Sequence, residues 1–249
     1  MKEKKYELTN ETKVINGITL RRIRALRDIS HAGVKVGDIG GWIEGEHNLS
    51  QDGEAWVSGE AMVYDKAKVF GNAWVLGKAK VFGNAWVLGG AEVFGNAWVL
   101  GGATVQGEAC VFDRATVYGN AKVYGIACVF GRSQLCGDAR VFGDARVFGD
   151  ARVCDDVRVY GDARVSGNAV VCGNAVVCGN DYMTFKTTWS TGRWVTYTCS
   201  NKMWRVGCFY GMGEELIRKA YADSEVKGKC YEAIVHAVEL IEAAKGEAE

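Results

Sequence analysis

Residues 71–100 read GNAWVLGKAKVFGNAWVLGGAEVFGNAWVL, one six-residue phrase repeated, with Ala two places and Val four places after each Gly. Working outward, the register holds from Gly53 to Gly179 without insertion or deletion. Asp65, Asp113 and Asp155 are the exceptions at the turn position, and aspartate is one of the few residues that tolerates a left-handed backbone. Ser133 and Val157 replace the Ala, and Leu135 replaces the Val, before Met183 ends the series. Inside G-x-A-x-V-x, the A-x-V segment has the period of two that puts alternate side chains on opposite faces of a strand, so Ala and Val point inward. Strands this short cannot pair within one hexad. A fixed short period therefore implies stacked coils, each hydrogen-bonded to the next. Three hexads per coil give an 18-residue triangular rung, and at ~4.8 Å per rung about seven coils make a rod of roughly 35 Å. The expected fold is mainly β, a parallel β-helix. A sandwich of hairpins would need longer strands and irregular loops.

Composition agrees with this. Among 249 residues there are 33 Gly and no Pro, where ordinary usage of ~5% would supply about twelve prolines. A strand inside the stack must donate to its neighbour, and proline has no N–H to donate. Thirty basic and thirty acidic side chains cancel, so no bulk field draws the chain to nucleic acid or an anionic membrane. MKEKKYELTN opens the chain with no apolar run after its lysines, and no stretch approaches the roughly 18 apolar residues of a span. No membrane partner is expected, and the setting expected is the cytoplasm. Nine cysteines without a CxxC are expected as free thiols of a reducing compartment.

Outward positions fall on faces by steps of 18. Phe94, Phe112, Phe130 and Phe148 share one column, Tyr64, Phe82, Leu100 and Tyr118 a second, and Phe70, Leu88, Tyr124, Phe142 and Tyr160 a third. Such columns stabilise successive rungs by roughly 0.2–1 kcal/mol per pair. Aromatics at this density also suit an oligomer or partner surface. Trp56 and Trp74 lie on one face and Trp86 and Trp98 on the other two. Subunit packing in a homo-oligomer is the use expected of them, with binding of a host protein beside it. Further along, Arg140, Arg146, Arg152, Arg158 and Arg164 point outward, each two residues after Asp138, Asp144, Asp150, Asp156 or Asp162. One reading is a mutual Arg–Asp lattice, each exposed pair contributing under ~1 kcal/mol. The other is an anion site in which Arg140 over Arg158 and Arg146 over Arg164 fork onto phosphate or a nucleotide ligand. Cys136, Cys154 and Cys172 form one 18-residue ladder, Cys110 and Cys128 another. With no His in the repeats these read as small hydrophobes, and neither a metal nor a cofactor is expected.

The ends carry different signals. Lys13–Leu20 reads as a hairpin turning at Asn16-Gly17, and Gly37–Glu44 as a turn feeding the first coil, so residues 1–52 are taken as an N-terminal β cap before a solenoid over 53–183. Residues 184–249 are expected to form a small α+β domain. Its strands are Met183–Thr188, Arg193–Cys199 and Met203–Phe209, with turns at Ser190-Thr191-Gly192 and Ser200-Asn201-Lys202. A helical pattern begins at Glu214, with Tyr231, Ile234, Val235, Val238 and Ile241 on one face. Trp189, Arg193, Trp194, Trp204 and Arg205 concentrate the residue types typical of binding hot spots, which in so small a domain also serve as core.

The run GNAWVLGKAKVFGNAWVLGGAEVFGNAWV, with the preceding GDIGGWIEGEHNLSQDGEAWVSGEAMV, resembles bacterial and prophage hexapeptide-repeat proteins often labelled acyltransferases. The ending TFKTTWSTGRWVTYTCSNKMWRVGCFYGMGEELIRKAYADSEVKGKCYEAIVHAVE is similar to tails of phage-encoded members. The resemblance implies a left-handed β-helix and a viral or prophage origin. It also implies, for true acyltransferases, a trimer with a catalytic His and coil-breaking loops that hold the acyl donor. Here His31, His47 and His236 all lie outside the repeats and no coil from Gly53 onward is broken. A general base must reach its substrate, so no catalytic residue is assigned. The expectation is a non-catalytic phage or prophage accessory protein binding a host macromolecule, with countering of host defence as a use of that binding. The alternatives are a nucleotide sponge at subunit interfaces and a coenzyme A-dependent acyltransferase.

Overall fold

The computed structural model describes residues 4–179, 181–187 and 192–246. It is a parallel β-solenoid followed by a four-stranded antiparallel sheet and two helices. Each hexad contributes a strand of two or three residues, and strands 18 residues apart pair in parallel, as in Glu92↔Cys110 and Trp98↔Thr116. The inward Ala and Val side chains, from Ala55 and Val57 to Ala175 and Val177, are fully buried and form one continuous core. Where Ser133 replaces Ala, its hydroxyl donates to the carbonyl of Phe130 at 2.8 Å, so the buried oxygen is satisfied.

The corners explain the glycines. Gly89 sits at φ +72°, and a Cβ there would lie 3.0 Å from the backbone N and O of Gly107 one rung on. The three exceptions also take positive φ, and each carboxylate accepts from the corner amide of the next rung: Asp65 from Gly83, Asp113 from Gly131, Asp155 from Gly173. Corner side chains thus bond along their own column.

The stack begins earlier than residue 53. Ile39–Ile43 pairs in parallel with Met62–Val63, through Trp42↔Met62, and Leu49 bridges Val69. These offsets are 20 residues, because eight residues rather than six separate Leu49 from Val57. One sheet therefore holds eight parallel strands over the described residues, against about seven coils expected. The other edge of Ile39–Ile43 is antiparallel to Ile18–Ala25, which forms the expected hairpin with Tyr6–Ile15. Asn16 and Gly17 both have positive φ, as the tight turn demands.

Neighbouring rungs exchange bonds in both directions, as Trp56 N donates forward to Ala73 O at 2.9 Å and Val69 N back to Asn48 O at 2.8 Å. The first and last rungs are each left with backbone groups that no further rung pairs, and side chains of the flanking segments close both ends. At the N-terminal end three side chains donate, and the Glu44 carboxylate accepts from Asp65 N at 2.7 Å. Lys5 Nζ reaches Ala55 O at 2.7 Å, Arg27 reaches Gly53 O at 2.7 Å, and Asn48 Nδ2 reaches both Asp65 O and Ala67 O at 3.0 Å. At the C-terminal end three side chains accept, and the Tyr210 hydroxyl donates to Cys172 O at 3.3 Å. Ser166 N donates to the Tyr182 hydroxyl, Val170 N to Thr196 Oγ1 at 3.0 Å, and Val176 N to Ser200 Oγ at 2.8 Å. Thr196→Val keeps the shape and removes an acceptor, so it is expected to cost about 1–2 kcal/mol. The readout is a lowered urea midpoint, with Thr196→Ser retaining most of the stability.

The C-terminal sheet runs Tyr182–Lys186, Trp194–Thr198, Met203–Val206 and Phe209–Gly211. The expected third strand is cut in two by Gly207, whose φ of +57° turns the chain into a fourth strand. Ser190 and Thr191 of the expected turn lie outside the described residues. Helices Gly213–Asp223 and Glu225–Gly246 pack on the face bearing Val195, Tyr197, Trp204 and Val206. Their stripe runs Tyr231, Val235, Val238, Glu242, the last accepting from the Tyr197 hydroxyl at 2.6 Å. That phase leaves Ile241, expected on the buried face, exposed.

The free-thiol expectation fails at one pair. Parallel register puts Cys136 and Cys154 on adjacent rungs with Cα atoms 4.5 Å apart, within disulfide reach, and they are bonded. Cys110, Cys128 and Cys172 remain thiols, and burial pushes Cys110 up to about 11.

Candidate functional site

The candidate tryptophans separate by what lies over them. Trp56 is 1% exposed, its ring meeting the edge of Tyr6 from the N-terminal hairpin at 6.4 Å. Trp204 is equally interior, tilted against Tyr197 at 4.8 Å. Neither is available to a partner from the surface. Trp74 is half-buried and donates to Ser58 Oγ at 3.0 Å. Trp189 lies outside the described residues. On the rod Trp86 and Trp98 remain, 46% and 43% exposed, and on the C-terminal sheet Trp194, 37% exposed.

The Trp86 and Trp98 indoles are built alike on different sheets. Phe70, on the preceding rung, meets Trp86 edge-on at 5.9 Å, and the Lys68 ammonium stands 5.9 Å from its ring centroid. Phe82 and Lys80 do the same for Trp98, at 6.2 Å and 5.0 Å. Anchored from below, each ring keeps its remaining surface free. A concavity of about 410 Å³ flanks Trp86, open above Gly102 where no side chain projects, and bordered by Lys122, Arg140 and Asp138. One of about 630 Å³ flanks Trp98, bordered by Lys13, Lys78, Lys80, Arg114 and Glu60. Cations outnumber carboxylates around both.

The arginine columns fall where their spacing puts them: Arg140 over Arg158, Arg146 over Arg164, and Arg152 between Gln134 and Val170. The expected Arg–Asp lattice is absent. Among the described residues none of these guanidiniums comes within 4.0 Å of a carboxylate oxygen. Corner groups bond along their own column instead, as Asp138 accepts from Asn120 at 3.2 Å. Like charges one rung apart thus have no direct ion-pair partner among the described residues. Arg152 also shares a groove with Arg193 and Arg205 of the C-terminal sheet, which joins members of two separate candidate sets.

Coils of this kind define the class as a parallel β-solenoid. Within it, residues 139–155, 151–165, 157–173 and 163–179 match the YdcK beta solenoid repeat. No curated protein matches the chain. No helix among the described residues is long and apolar enough to cross a membrane.

Proposed function

We propose that this chain is a non-catalytic phage or prophage accessory protein that binds a host macromolecule, specifically an acidic host protein, through the Trp86 and Trp98 faces. The observation that carries this reading is the pair of anchored, half-exposed indoles, each ringed by an excess of cations. Tryptophan and arginine dominate binding hot spots because they supply large contact area together with directed polar contacts. Symmetric packing of either face on itself would bring like charges together, so the surroundings favour a partner of opposite sign over the subunit packing expected from sequence. The phage or prophage setting rests on the resemblance of the repeats and the C-terminal tail.

The experiment is quantitative affinity capture from bacterial lysate with the wild-type chain and a Trp86→Ala/Trp98→Ala double variant. The core beneath both residues is Ala and Val that the substitutions leave intact. An acidic host protein should be retained by the wild type and reduced at least ten-fold in the variant, in line with hot-spot losses of about 2 kcal/mol. Identical captured sets from the two proteins would sink the proposal.

A further inference from the structure

We infer that the junction between the last solenoid turns and the C-terminal sheet is a binding site for a nucleoside diphosphate, independent of the Trp86 and Trp98 surface. One of the hydrogen bonds that close the C-terminal end of the rod places the sheet at this point. Val170 lies on the last strand of its sheet, and its amide is capped by Thr196 Oγ1 at 3.0 Å, which lays Trp194–Thr198 across the end of the rod. Everything else follows from strand register. Trp194 is two residues from Thr196 and so on the same face of the strand, and Arg205 is the cross-strand partner of Thr196. That face looks at the solenoid, since the opposite one, with Val195, Tyr197, Trp204 and Val206, is packed under the helices. Arg152 comes from the other side, one rung from Val170 in the same sheet.

The result is a groove of about 470 Å³, lined from the rod by Asp150, Arg152, Asn168 and Val170 and from the sheet by Arg193, Trp194, Arg205 and Gly207. The volume falls in the range of small-molecule sites, roughly 300–1,000 Å³. Gly207 contributes no side chain, and the Arg193 guanidinium packs over it, with Nη1 3.4 Å from where a Cβ would sit. The guanidiniums of Arg152 and Arg205 line the groove with one carboxylate, Asp150, and that of Arg193 lies over Gly207 at its edge. Among the described residues none of the three is within ion-pair distance of a carboxylate, and no hydrogen bond from any of their side chains is present. Planar guanidinium forks converging from two elements match the oxygens of a phosphate pair better than a point charge does. The indole of Trp194, 37% exposed with the Lys186 ammonium 5.9 Å from its centroid, offers a face on which a base can stack. Asp150 and Asn168 supply acceptors for ribose hydroxyls on the rod side. Phosphate oxygens, a sugar and a flat ring in one small groove specify a nucleotide rather than a bare anion.

Isothermal titration calorimetry on the full chain tests this, with ADP, GDP, CDP, UDP, inorganic pyrophosphate and a single-stranded oligonucleotide as probes. At least one nucleoside diphosphate should bind ten-fold or more tighter than pyrophosphate. Arg152→Gln and Arg205→Gln should each weaken it at least ten-fold, and Trp194→Ala should bring its affinity down to that of pyrophosphate. Arg158→Gln, on a different sheet, should leave it unchanged. Arg152 is exposed on its strand, so its variant does not disturb the core. Absence of binding by every nucleoside diphosphate at about 1 mM overturns the inference. So does binding insensitive to Arg152→Gln and Arg205→Gln, or binding of the oligonucleotide alone.

Discussion

Thr104→Pro is expected to lose about 3 kcal/mol or more, while Thr104→Val stays within about 0.5 kcal/mol of wild type. Thr104 lies mid-stack, paired with Trp86 on one side and Lys122 on the other, and its amide donates to Ala121 O at 2.9 Å. Its side chain points outward and is not part of the core, so the substitution reads the ladder rather than packing. Proline removes the donor and strands a carbonyl between two rungs where water does not enter. Because each rung contacts chiefly its neighbours, the break should also split urea unfolding into two transitions. Equal stability of the two variants would mean that the ladder does not hold the coils together, and the lack of proline would need another cause.

The second large effect is a pH dependence centred on the N-terminal cap. Lys5 is fully buried, and burial lowers its ammonium from the ordinary 10.5 to about 8, with the Arg27 charge adding to the shift. Between those values the unfolded chain holds the proton more tightly than the folded one, so stability rises with pH across that window. The full shift corresponds to about 3 kcal/mol. Below about 8 both states are protonated and the folded one carries the whole penalty of a buried cation; the neutral amine still donates to Ala55 O. Tyr6 works against this at higher pH. Burial raises its phenol, so its contribution is lost once the unfolded chain begins to ionise above 10.0. Urea midpoints at about pH 7.5, 9 and 10 should climb in the wild type and stay level in Lys5→Met. Parallel profiles would place the titrating group elsewhere.

The hexad made the rod legible because its physics is local. A glycine at positive φ every six residues and an A-x-V that alternates leave one way to stack, so the pairing of Cys110 with Cys128 or Arg140 with Arg158 follows from subtraction. The first rung escaped that reading, since Ile39–Ile43 lacks the phrase and its coil runs two residues long. Gln51, within the enlarged segment, accepts from Lys5 N at 2.9 Å and donates to Tyr6 O at 3.2 Å, tying the hairpin to the rod. Binding residues were less legible for a related reason. Trp56 and Trp86 occupy identical places in the hexad, yet one is sealed by Tyr6 and the other is open. The repeat sets which way a side chain points, and a distant segment decides whether that direction is solvent. Arg152 and Arg205 likewise meet only because Thr196 caps Val170, a contact that no periodicity reports.

The claim that the Trp86 and Trp98 faces engage an acidic host protein is tested most directly by photo-crosslinking in living bacteria, with benzoylphenylalanine placed at position 86, at 98, or at 146 on the third sheet. A discrete adduct to one acidic host protein is expected from 86 or 98 and none from 146. Adducts only between copies of this chain, or the same adducts from all three positions, would contradict it.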